Sequence, residues 1–350
     1  MGRTEPHREQ LMYYEKKIDS MKRTNYLLLF FGMGFFLLLS LFLLSNKEAA
    51  IENKMDELNQ RLYTLSQTNS VPLPDHVDFC GETIALDRFD LRERFDREIN
   101  TFAYLHATTL LYLKRANRYF PIIEPILKKN GIPDDFKYLC VIESNLDIRA
   151  LSPVNAAGFW QLMESTGRDY GLEITPEVDE RYHIEKATDA ACSYFKDAYA
   201  RYGNWINVAA SYNAGMARIS SFLNCQEVNS VLDLLLVSET SRYIFRILAI
   251  KQLFENPYLY GFILKKEDLY PPIAVQRIIV NQTINDLAAF SQDYGLNYML
   301  LKEFNPWLRD NKLTVRLGKT YEIAIPQKED LYFNENSIKV HNQQWLSFYK

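Results

Sequence analysis

The alternation of apolar and polar positions divides the chain. From Tyr26 to Leu44 it reads YLLLFFGMGFFLLLSLFLL, and no charge falls between Arg23 and Lys47. Nineteen helical residues span roughly 28 Å, close to a bilayer's hydrocarbon core. A soluble helix is rarely apolar on every face. The pattern predicts a transmembrane helix over 26–44. A cleaved signal peptide has a shorter apolar core, and SNKEAA is a poor cleavage site, so the segment is expected to stay as an anchor. Arg3, Arg8, Lys16, Lys17, Lys22 and Arg23 precede it, against Lys47, Lys54 and Arg61 after it. The positive-inside rule then keeps residues 1–25 cytoplasmic and exports the rest.

Beyond the span, Ile51, Met55, Leu58, Leu62 and Leu65 recur at a 4-3-4-3 spacing, a short heptad seam through which two chains could pair. Residues 45–78 read as a stalk and linker, broken by the two prolines of VPLPDH. Helical periodicity runs through 87–130, punctuated by Pro121 and Asn130-Gly131, and returns over 134–143, 187–201, 205–212, 228–237 and 240–255. Without strand-helix alternation, this predicts a mainly α domain over 79–265. From 270 the pattern becomes β-α-α-β, with strands at 274–280 and 320–326, which predicts a small separate α+β module over 270–327. The polar tail 328–350 carries scattered aromatics and no period.

Composition narrows the function. The 350 residues carry a net charge of -4, which argues against nonspecific nucleic-acid binding. No pair among the five histidines and four cysteines has zinc-ligand spacing. Cys140 and Cys192, on predicted helices among apolar neighbours, are expected to be buried thiols.

One carboxylate is out of place. In PDDFKYLCVIES (133–144), Asp134 or Asp135 can cap a helix after Pro133. Phe136, Leu139 and Cys140 form its apolar stripe. Glu143 stands four residues after Leu139 and three after Cys140, on or beside that stripe. Burial and the negative end of the helix dipole both raise its pKa. A glutamate kept protonated near neutral pH suits a general acid. The plainer reading is an exposed helix end.

Separated motifs decide between these readings: IESNLDIRALSPVNAAGFWQLMESTGRDYGL (142–172), VDERYHIEKATDAACSYFKDAYARYGNWINVAASYNAGMARI (178–219) and SETSRYIFRILAIKQLFENPYLYGF (238–262). Over about 79–262 the chain resembles the lytic transglycosylases with a soluble-lytic-transglycosylase (SLT) domain. The resemblance implies a lysozyme-like helical fold. It implies Glu143 as the single catalytic acid/base, with Ser144 helping to orient it. Gly158, Gln161 and Met163 match the GxWQxM motif lining the glycan groove. Tyr212, Asn213 and Gly215 match AYNAG, here SYNAG. Tyr243 matches the tyrosine of ETRxY, here ETSRY. Each could instead be structural: Gly158 for a close turn, Gln161 and Asn213 as backbone caps, Tyr212 and Tyr243 as core aromatics. Trp160 reads as packing, Asp179, Glu180 and Arg181 as a polar cluster, and Thr188 and Asp189 as a helix start.

The implied reaction cleaves the β-1,4 bond between N-acetylmuramic acid and N-acetylglucosamine and leaves a 1,6-anhydromuramyl end. It calls for no metal or other cofactor. The expected partner is the peptidoglycan glycan strand, reached from the inner membrane with the catalytic domain in the periplasm. A hydrolytic muramidase and an inactive wall-binding membrane scaffold are the competing readings. Residues 274–326 resemble a LysM glycan-binding repeat, with Asn281-Gln282-Thr283 where Gly-Asp-Thr is usual. The other reading of this module is an appendage packed on 255–265.

Overall fold

The structure is a computed structural model and describes residues 5–65 and 69–346. It has two compact units, meeting at Asn69 and Ser70. The first is a single helix, α1 (Glu5–Leu65), of 61 residues. No proline interrupts it after its first turn, so span and stalk are continuous rather than separate elements. Its apolar stretch has a mean hydropathy of 2.7 with no part buried, so it is long and apolar enough to cross a membrane. The hydroxyls of Thr24 and Ser40 donate to the Ser20 and Leu37 carbonyls, which removes unpaired donors from the helix surface. Ile51, Met55 and Leu58 are exposed. The side chains of Leu62 and Leu65, the rest of the seam, lie outside those described.

The second unit opens with a hairpin, β1 (His76–Phe79) and β2 (Glu82–Ala85), paired antiparallel with Val77 opposite Ile84. Cys80 and Gly81 both take positive φ, as a two-residue hairpin turn requires. Val77, Phe79 and Ile84 are buried on the helical core. The helical body comprises α2 (Phe89–Tyr104), α3 (His106–Lys129), α4 (Lys137–Ser144), α5 (Glu164–Asp169), α6 (Ile184–Tyr202), α7 (Trp205–Ala214), α8 (Met216–Cys225) and α9 (Ser238–Glu255). α9 packs against α2, α4 and α7. Phe95, Phe120, Phe136, Trp160, Phe195, Phe245 and Phe254 fill the space between them, each fully buried. Cys140 and Cys192 are buried as expected.

Several expectations need correction. Residues 228–237 hold only a 3-10 turn, Val231–Asp233. The side chain of Asn207 binds the Asn229 carbonyl and the Val231 amide, so that backbone is bonded outside any helix. Pro121 does not punctuate, because α3 carries Pro121 and Pro125 inside it. Neither Asp134 nor Asp135 caps α4. Asp135 instead accepts from the Cys80 amide (2.6 Å) and pairs with Lys251 (3.1 Å), tying hairpin and α9 to the start of α4. Thr188 and Asp189 lie one turn inside α6, not at its start. The Thr188 hydroxyl donates to the Ile184 carbonyl and accepts from the Trp160 indole, and Asp189 accepts from Asn130.

The module has the expected order: β3 (Val275–Val280), α10 (Leu287–Asp293), α11 (Tyr298–Phe304) and β4 (Tyr321–Pro326), with β3 and β4 antiparallel and Ile278 opposite Ile323. Its core, built on Leu287, Leu301, Trp307, Leu308 and Ile323, also takes in Ala157, Val178 and Tyr182 of the helical body. That is where it docks, rather than on 255–265. The tail lies against the helical body instead. Ile338 and Trp345 are buried, and the Trp345 indole donates to the Phe254 carbonyl (2.9 Å).

Candidate active site

α4 ends abruptly. Asn145 and Leu146 follow it with φ of 56° and 52°, two successive left-handed residues. The Asn145 side chain accepts from the Tyr112 hydroxyl (2.6 Å) and its carbonyl accepts from Arg115 (2.9 Å), which holds the strained turn. Glu143 therefore sits in the last turn of a short helix, beside a stripe, Leu139 and Cys140, that is fully buried. Its own side chain is half-buried and keeps an opening to solvent.

The phenol of Tyr243, from α9, donates to Glu143 Oε1 at 2.6 Å. Burial pushes the Glu143 carboxyl up to about 7. The Tyr243 bond and the charge of Arg246 pull the other way, and Glu239 adds to the rise. Tyr243 is itself buried, and its hydroxyl is pushed well above the usual tyrosine value, so it stays a donor. The site thus presents a carboxylic acid that is mostly protonated below neutrality and easily returned to the carboxylate.

The 158–163 loop is linked to the site through Tyr212, whose pKa is raised by burial and by the Glu143 charge and whose hydroxyl donates to the Trp160 carbonyl. Gly158 has a φ of +75°, and a Cβ there would stand 2.0 Å from the Arg181 carbonyl oxygen, so only glycine fits. Gln161 also has positive φ, and its amide nitrogen donates to the Gly158 (2.8 Å) and Ala150 (3.2 Å) carbonyls. Its nitrogen thus braces the loop. Met163 is exposed where the chain enters α5. Trp160 is wholly buried, and its carbonyl accepts from the Tyr212 hydroxyl (2.6 Å), locking the loop onto α7. Gly215 ends α7 with a φ of 88° and starts α8, and Asn213 is half-buried just before it. Ser144 does not reach Glu143. It is buried, and its hydroxyl donates to the Cys140 carbonyl one turn back. The expected polar cluster is present: Arg181 and Asp179 pair at 2.7 Å, both buried.

Two residues escaped the sequence reading. Arg246, one turn beyond Tyr243, bears on Glu143, Tyr243 and Tyr112. A basic residue three positions after the motif tyrosine was the available signal. Arg94, from α2, donates to the Ser241 hydroxyl (3.0 Å) and lies 4.4 Å from the centre of the Phe245 ring. Nothing in the local pattern marked it. A cavity of about 380 Å³ lies elsewhere, between helical body and module, lined by Tyr119, Ile148, Ile184 and Trp307 among others. It does not include Glu143.

Residues 120–227 match the transglycosylase SLT domain, and residues 276–329 match the soluble lytic transglycosylase C-terminal LysM-like domain. Membrane-bound lytic murein transglycosylase D of Escherichia coli (strain K12) is 28% identical over 269 residues, covering 75% of this chain and 58% of that protein. A putative tributyltin chloride resistance protein of Alteromonas sp. (strain M-1) is 28% identical over 117 residues, 33% of this chain and 56% of that protein. The chain thus spans a little over half the length of the curated relatives it matches. Among solved structures, the 70 kDa soluble lytic transglycosylase of Escherichia coli aligns with a TM-score of 0.36 and 23% identity, over 41% of this chain and 24% of that one. The complex of the 70 kDa soluble lytic transglycosylase with bulgecin A aligns with a TM-score of 0.36 and 20% identity, over 48% and 30%. Glu143, the 158–163 loop and the 212–215 turn all fall within the segment 120–227 that matches the transglycosylase SLT domain, and the segment that matches the C-terminal LysM-like domain follows it.

Proposed function

We propose that this chain is a peptidoglycan lytic transglycosylase in which Glu143 is both acid and base. The observation that carries the reading is the half-buried Glu143 carboxyl, raised to about 7 and held by the Tyr243 hydroxyl. With Oε1 occupied by that bond, Oε2 is the oxygen that presents the proton. It protonates the β-1,4 oxygen between N-acetylmuramic acid and N-acetylglucosamine, and that bond to C1 breaks. The substrate's N-acetyl group stabilises the positive charge at C1. The Glu143 carboxylate then takes the proton from the C6 hydroxyl as its oxygen bonds to C1, which closes the 1,6-anhydro ring. Water is neither consumed nor released. Gln161, Met163, Asn213 and the turns at Gly158 and Gly215 line the glycan groove, Tyr212 fixes the loop, and Ser144 supports the helix beneath Glu143.

The test is digestion of purified sacculi by the wild type and by Glu143→Gln, with mass spectrometry of the muropeptides. Anhydro ends are expected from the wild type and none from the variant, whose amide is isosteric and donates no acid proton. Anhydro products from the variant would refute the role of Glu143. A second reading, a hydrolytic muramidase, draws on Glu239, the carboxylate whose charge bears on Glu143. It would activate water, and the products would carry one water more than the anhydro form.

The proposed organisation keeps 1–25 cytoplasmic, 26–44 across the inner membrane, 45–78 as stalk and linker, 79–265 as the periplasmic catalytic domain and 270–327 as the LysM-like module. The exposed Ile51, Met55 and Leu58 give two copies a seam on which to pair.

A further inference from the structure

Residues 150–163, which carry the groove loop, lie between two hydrophobic cores. Phe159, Trp160 and Leu162 point into the core of the helical body, while Ala157, wholly buried, belongs to the core of the C-terminal module. Ala157 and Leu162 exchange backbone hydrogen bonds (3.1 and 3.2 Å), so the two cores grip opposite ends of one narrow turn.

A second connection runs through the 173–182 segment. Its residues 177–179 lie antiparallel to 307–309 of the module. The Asp179 amide donates to the Trp307 carbonyl (2.9 Å), the Arg309 amide donates to the Glu177 carbonyl (2.8 Å), and Val178 bridges Leu308. The Glu177 carboxylate then accepts from the amide (2.7 Å) and hydroxyl (3.1 Å) of Thr314 and pairs with Lys312 (3.2 Å). From this anchored segment Arg181 reaches back to the loop. Asp179 orients its guanidinium, which donates to the carbonyls of Asn155 (2.7 Å) and Leu162 (3.2 Å), one on each side of the turn. The Arg181 carbonyl is also the wall against which Gly158 is packed.

We infer that the LysM-like module is a positioning element of the active site, holding the left-handed Gly158 and Gln161 turn in register with Glu143 through Glu177, Asp179 and Arg181. The inference rests on reading the Glu143 cleft as that of a lytic transglycosylase. A tethered sugar-binding module would need none of these contacts. Here the module's own core is completed by the catalytic loop, so the two have one geometry.

The test uses the full-length chain in detergent, with Glu177→Ala to release the clamp and Arg181→Lys to keep the charge but lose the two-carbonyl span. Hydrogen exchange is read at the amides of Ala157, Gly158 and Leu162, alongside kcat and KM on soluble uncrosslinked glycan strands. Expected in Glu177→Ala are about fivefold faster exchange at these amides with the rest of the helical body unchanged, and about a tenfold lower kcat at a KM within about twofold. Glu177→Gln, which keeps an oxygen for the Thr314 amide, is expected to recover most of both. If Arg181→Lys does not fold, Glu177→Ala decides. Wild-type exchange at the three amides in Glu177→Ala would overturn the inference, as would a loss confined to KM. A wild type that yields no anhydro product would instead sink the reading of the cleft, and the exchange measurement would still decide the role of the module.

Discussion

Replacing Glu143 by Gln should stabilise the protein, and only where the carboxylate would be charged. In the folded chain burial lifts this carboxyl from an ordinary 4.5 to about 7, despite the opposing Tyr243 bond and Arg246 charge. Below pH 4.5 both folded and unfolded chains carry the proton, and Glu and Gln cost the same. Between pH 4.5 and 7 the unfolded chain releases the proton while the folded chain keeps it. Stability then falls with rising pH at a limiting slope of about 1.4 kcal/mol per pH unit. Above 7 both forms are ionised and the penalty levels off at about 3 kcal/mol. The partial exposure of the Glu143 side chain trims it towards about 2 kcal/mol. The amide at 143 does not titrate, and its carbonyl still accepts from Tyr243. Urea unfolding of the two full-length chains in one detergent isolates this group, because every other titration is shared. The curves should nearly coincide at pH 4 and separate by about 2–3 kcal/mol in favour of Gln at pH 8. A difference that is constant with pH, or a Gln variant less stable at pH 8, would refute the buried acid.

Two further outcomes follow from the same geometry. Tyr243→Phe removes a bond that favours the carboxylate, so Glu143 should hold its proton to higher pH. The alkaline limb of kcat/KM should move upward while the maximum falls about tenfold, and a limb moving to lower pH would contradict the assigned hydrogen bond. Gly158→Ala places a Cβ 2.0 Å from the Arg181 carbonyl oxygen at a φ of +75°. It should cost at least about 3 kcal/mol in urea unfolding, and a cost below about 1 kcal/mol would show that the loop yields.

Glu143 was legible because its unusual position is local. A glutamate three and four residues from Cys140 and Leu139 falls beside their apolar stripe in any helix. Its partner Tyr243 stands 100 residues away, a pairing no periodicity shows, and it was reached only through motif resemblance. Ser144 shows the limit of that route. Its side chain bonds back to Cys140 rather than across to the carboxylate, because a helical serine hydroxyl can share the carbonyl four residues earlier with its own amide. The first hairpin was missed because its strands are four residues each and its turn is Cys80-Gly81 rather than Asn-Gly or Asp-Gly. Residues 228–237 misled through leucine content, though Leu235 is among the most exposed side chains in the body. Ala157 carried no signal, since a small residue in a loop reads as a spacer until two cores close on it.

The seam joining the two lobes of the second unit is fastened largely by acids on one side and bases on the other. Lys319 meets Glu173, Lys312 meets Glu177 and Arg277 meets Glu185. Burial alone would make Glu185 a weaker acid, but the His183 ring and the Arg277 guanidinium outweigh it and hold it down to about 2. The Thr314 amide holds Glu177 below its usual range. A depressed carboxylate contributes its attraction above its unfolded value and loses it only on titration through the lowered one. Mild acidification therefore leaves the Glu177 and Glu185 contacts charged and closed. Tolerance to pH is lopsided as a result: alkali ionises Glu143 first, whereas the Glu177 and Glu185 contacts persist until acid titrates their lowered carboxyls.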